Sequence, residues 1–127
     1  MFKVKAFGYN KDDLTKRVPL KISNEAKYYE FLKTIAEEYP FLTVVGLRII
    51  TEIKLKNFLQ NQGIGFNDRD NLGDLINKLP NGIPDAQIKI LRDFKELENI
   101  ASHGYEISRE TAKWAVDAIP AFLGSIK

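Results

Sequence analysis

The sequence has no cysteine and only one histidine in 127 residues. Disulfides, cysteine-based zinc sites and thiol nucleophiles are thereby excluded. The redox compartment is left open. Imidazole chemistry rests on His103 alone, unless two chains each bring a copy. Long apolar runs are also missing. The longest, Phe41–Leu47, is broken by Thr43 and falls far short of the ~20 residues a membrane span needs. Lys3 and Lys5 interrupt the only apolar opening, so no signal peptide is expected and the reading is a cytoplasmic protein with no membrane contact. The glycines of GIGF, after Gln62, lack the lysine and helix of a phosphate loop, and Asp68-Arg69-Asp70 is too short for a calcium loop. One histidine among scattered carboxylates lacks metal-ligand spacing, so neither metal nor cofactor is expected.

What is present reads as one folded domain. Hydrophobic residues at 44% and charged residues at 28% are those of an ordinary packed protein. A chain of this length buries about two thirds of its unfolded surface. The net charge of +2 is small but unevenly spread: residues 1–63 carry 11 Lys/Arg against 7 Asp/Glu, and residues 64–127 carry 8 against 10. The basic excess lies at the start, around Lys3, Lys5, Lys11, Lys16, Arg17 and Lys21. It supports either a weak nucleic-acid patch centred on Lys3, Lys5, Lys16 and Arg17, or a lysine-guarded sheet edge.

Phe2, Val4 and Ala6, then Val18, Leu20 and Ile22, alternate with polar residues at the strand period, and Pro19 confines the second run to an edge. A small β-hairpin over residues 1–22 is therefore expected as an appendage to a helical bundle over residues 23–127. Ser23 is the expected cap of a first helix that Pro40 ends. A second helix runs from about Leu42 to Gln62, with Gly63 as a left-handed cap. Its apolar residues fall on two sides, Leu42, Val45, Ile49 and Ile53 against Val44, Leu47, Leu55 and Phe58, as in a central helix. A short helix, Leu72–Leu79, follows. The fourth runs from Pro84 or Asp85 to His103, with Ile90, Phe94, Leu97 and Ala101 as its core stripe. The fifth starts at a Ser108 cap, and Pro120 is expected to kink it or end it early. The fold class is mainly α, a compact bundle of about five helices.

On the fourth helix, Arg92, Glu96, Asn99 and His103 fall at relative angles of about 0°, 40°, 340° and 20°. They form one narrow polar stripe opposite the core stripe. His103 therefore faces solvent, another helix or a second chain, or caps the last carbonyls of its own helix. Arg92 and His103 stand about 16 Å apart along the axis, too far to share one phosphate on the same chain. Ser102 projects away from His103, which argues against a serine hydrolase triad.

The segments LRDFKELENIASHG and YEISRETAKWAVDAI, with GLRIITEIKLKNFL and LGDLINKL upstream, resemble the HEPN superfamily of helical nucleotide- and RNA-associated domains. The likeness is to a bacterial branch of unknown function found in or beside restriction and phage-defence proteins. It covers residues 40–124, with Asn99, Ala101, His103 and Gly104 matching the end of one helix and Arg48 and Glu52 matching an Arg-x-x-x-Glu helix. The resemblance implies a homodimer with the His103 stripe near its interface, serving a larger defence or restriction protein. Active ribonucleases of the superfamily carry an Arg four to six residues before the His. Here Glu98 stands five residues before His103, and a carboxylate would repel the scissile phosphate. The expectation is a non-catalytic interaction module. The alternatives are a metal-independent ribonuclease in which Arg92 of one chain meets His103 of another, with Asn99 beside it, and a nucleic-acid-binding accessory domain.

Two smaller expectations follow from the residues. Arg48 and Glu52 form a structural i,i+4 ion pair. Trp114 packs in the core, or with Tyr105 offers a stacking surface for a base.

Overall fold

Asn24 opens the first helix of the computed structural model, which describes residues 24–126. The Asn24 side chain accepts the Lys27 amide at 3.1 Å, satisfying one of the amides a helix start leaves without a partner. Helix α1 spans Glu25–Ile35, α2 Pro40–Asn61, α3 Leu72–Asn77, α4 Asp85–Ser102 and α5 Arg109–Ser125. The segment expected to form the hairpin, together with Ser23, lies outside the described residues. No described helix is long and apolar enough to cross a membrane.

Caps set most of the boundaries. Pro40, expected to end the first helix, instead starts α2 at its first helical position. A proline there loses no intrahelical bond, and its fixed φ suits the turn. Gly63 and Gly104 adopt φ of 71° and 84°, the left-handed conformation in which glycine alone escapes the Cβ clash. After α4 the chain closes with Gly104 N–H to the Ala101 carbonyl at 3.1 Å and Tyr105 N–H to the Ile100 carbonyl at 3.3 Å, a Schellman turn. Asn71 and Asp74 form a reciprocal capping box on α3, and the Ser108 hydroxyl accepts the Thr111 amide at 3.1 Å to start α5.

Helix α2 touches each of the other four. Its inner face, with Val44, Leu47, Leu55 and Leu59 fully buried, meets Leu75 of α3, Leu91 and Phe94 of α4, and Ala112, Ala115 and Ile119 of α5. Leu91, rather than the expected Ile90, is the fully buried residue at the start of the α4 stripe; Ile90 packs at its margin. Lys95, one turn from Leu91 on the same side, lies over Gly73 of α3, so α3 covers that side of α4.

Pro120 neither ends α5 nor shortens it, and the helix continues to Ser125. The residues around the proline, Ile119, Phe122 and Leu123, are all buried. Their burial offsets the lost hydrogen bond. Trp114, expected in the core, is 39% exposed on the outer face of α5.

Candidate functional site

The polar stripe of α4 reaches the surface as the helical angles require. Arg92, Glu96 and His103 are exposed, and Asn99 is half-buried. The imidazole of His103, the Arg92 guanidinium and the Glu96 carboxylate make no hydrogen bond or ion pair with any described residue. His103 occupies the C-cap, but its backbone makes the contact: its N–H donates to the Asn99 carbonyl at 3.1 Å. That carbonyl also accepts the Ser102 hydroxyl at 2.9 Å. Among the described residues no group of three or more His, Asp or Glu side chains gathers as metal ligands.

Glu98 turns inward instead. Its Oε1 lies 3.5 Å from Nε of Arg48 on α2, and the Arg48 guanidinium is also 3.5 Å from Glu52 Oε2 one turn along α2. The three charges form a half-buried seam joining α2 to α4. Burial pushes the Glu52 carboxyl above its ordinary range, and neighbouring Glu98 adds to the rise against the opposing pull of Arg48 and Lys56. Glu98, five residues before His103, is thus already engaged with an arginine of the neighbouring helix.

Beside this seam the outer side of α2 is apolar and stays partly exposed. Leu42 and Ile49 are 52% and 46% exposed, and Val45 and Ile53 between and beyond them are only partly covered. The two-sided pattern of this helix correctly indicates its central position. However, only one of the two apolar sides is packed within the described bundle.

Leu42 also belongs to a second feature, an open cleft of about 650 Å³ between the α1–α2 junction and the α4–α5 connection. Tyr39, Phe41 and Tyr105 line it, all about half-exposed or more. Four carboxylates, Glu37, Glu38, Glu106 and Glu110, line it with a single guanidinium, Arg109. Glu37 is bridged to Arg109 at 3.0 Å and to Lys113. The Lys113 hydrogen bond and charge, with Arg109 behind them, hold the Glu37 carboxyl below its ordinary range. The sequence pattern missed this cleft because its two walls are far apart along the chain. The only local signal was the run of aromatic residues around Pro40.

Lys3, Lys5, Lys16 and Arg17, the residues of the expected nucleic-acid patch, lie outside the described residues. No protein-family model, no curated protein and no solved structure gives a significant match to this chain.

Proposed function

We propose that this protein is a non-catalytic, HEPN-like interaction module that pairs with a second copy of itself through the outer side of α2 and the adjoining stripe of α4. The observation that carries the reading is the apolar row Leu42–Val45–Ile49–Ile53, with Leu42 and Ile49 exposed and Val45 and Ile53 half-buried. Contiguous apolar surface of this kind is costly to leave in water and marks contact sites. Its neighbours are suited to an interface rim. The half-buried Arg48–Glu98 seam borders it, and beyond the seam lies the polar stripe Arg92, Glu96, Asn99 and His103. A row along one helix can meet its own copy about a two-fold axis, the arrangement that a symmetric dimer uses. The engagement of Glu98 by Arg48 favours binding over cleavage, since it leaves a carboxylate where a phosphate clamp is required. On the HEPN resemblance, the larger partner of such a dimer is a defence or restriction protein.

Light scattering coupled to size-exclusion chromatography tests the pairing. The expected mass is twice the 14.5 kDa of one chain, and Ile49→Asp is expected to return it to one. A strictly monomeric wild type at high concentration overturns the proposal. So does cleavage of RNA in the presence of chelator that disappears in His103→Ala, which would make the protein a ribonuclease.

A further inference from the structure

We infer that the cleft between the α1–α2 junction and the α4–α5 connection is a docking site for a basic peptide segment of a partner protein, one in which arginine or lysine alternates with apolar side chains. The lining fixes the chemistry. Tyr39, Phe41 and Tyr105 present rings that are 54%, 48% and 67% exposed, and such rings attract guanidinium and ammonium groups through their negative faces. The charges point the same way. Four carboxylates stand against one guanidinium, a net of −3 in the lining. Arg109 and Lys113 are both committed to Glu37, so Glu38, Glu106 and Glu110 form no ion pair with any described residue. A phosphate or nucleic-acid ligand would meet the net negative charge of this lining and be repelled.

The shape and its supports suit an extended segment. The cleft is open to solvent, so a chain can lie in it without the site opening. One wall is the irregular stretch Tyr105–Ser108, held between the Schellman turn at Gly104 and the Ser108 cap. Both ends of the stretch are therefore fixed by hydrogen bonds, which limits the ordering cost on binding. Leu42 and Phe41 supply apolar surface between the carboxylates for the alternating side chains of the ligand. Only Leu42 is shared with the α2 row, so the cleft and the pairing surface can be separated by mutation.

The test uses two fluorescein-labelled synthetic peptides, one alternating arginine and leucine, the other with glutamate in place of arginine. Fluorescence anisotropy with the 127-residue chain is expected to detect binding of the first, weakened by salt, and none of the second. Tyr105→Ala is expected to weaken binding about tenfold, and Glu106→Lys with Glu110→Lys by at least as much. Both alter exposed side chains, and circular dichroism checks that the helices are retained. Equal binding of the two peptides, unchanged binding by the variants, or no binding of the arginine peptide overturns the inference. Ile49→Asp leaves the cleft intact. Loss of pairing with retained peptide binding therefore distinguishes failure of the dimer from failure of this site.

Discussion

The hydroxyl of Tyr29 is buried and finds no hydrogen-bond partner among the described residues. A buried hydroxyl without a partner has given up its water for nothing in return. Burial pushes the phenol up to about 12, helped by the negative charge of Glu25 and by Tyr28. The native state therefore keeps its proton where the unfolded chain, near the ordinary value of about 10, has lost it. Stability from this residue is fully present below the unfolded value and is lost as pH rises toward 12. Tyr29→Phe is expected to raise stability at neutral pH by about 0.5–1 kcal/mol and to remove that alkaline loss. Urea denaturation at neutral pH and in the alkaline range checks both parts.

At the scale of the element, the α1–α2 hairpin depends on close approach at Gly46. A Cβ there would sit 2.5 Å from Leu32 Cδ2 and 3.4 Å from the Tyr28 hydroxyl, and that hydroxyl donates to the Gly46 carbonyl at 2.9 Å. Leu32 is itself buried and cannot swing into solvent. Thr43 ties the same corner, its hydroxyl donating to the Leu32 carbonyl at 3.0 Å. In an open helix Gly→Ala would gain up to about 1 kcal/mol of helix propensity. At Gly46 the clash outweighs this gain, and a net loss of about 1–2 kcal/mol is expected, read as a lower thermal midpoint.

Helix termini were legible in the sequence because capping is local. Ser108, Gly63 and Gly104 each mark a boundary by their own chemistry. The same logic misplaced Pro40, since a proline that stops one helix is equally suited to start the next. The early end allowed for at Pro120 does not occur, because the proline's cost is local, whereas the burial of Ile119, Phe122 and Leu123 that offsets it is tertiary.

At the scale of the molecule, the seam of Arg48, Glu52 and Glu98 joins α2 to α4. One guanidinium serves two carboxylates, so its removal leaves a like-charge pair in a half-buried position. Arg48→Ala is expected to cost about 1–2 kcal/mol at neutral pH. Glu52 already has a raised carboxyl in the native state, so protonation stabilises the fold as pH falls into the upper carboxylate range. The deficit of Arg48→Ala should therefore shrink at about pH 5, as denaturant titrations at the two pH values would measure. An i,i+4 pairing of Arg48 with Glu52 can be read from spacing alone. The second partner, Glu98, cannot, because only the packing of α2 against α4 brings it near. The pattern likewise identified both apolar sides of α2 without indicating which one the bundle covers, for that depends on how many helices there are to cover it.

The covering of that inner side has a consequence in time. Val44, Leu47 and Leu55 are closed over partly by Ala112, Ala115 and Ile119 of α5, which is synthesised after the other four described helices. Until the stretch from Gln62 to Ser108 and then α5 itself have been synthesised, α2 is apolar on both sides with neither fully covered. A nascent chain of this design waits with its most aggregation-prone helix already made. Exposure of the inner side ends only when α5 docks, down to Phe122 and Leu123.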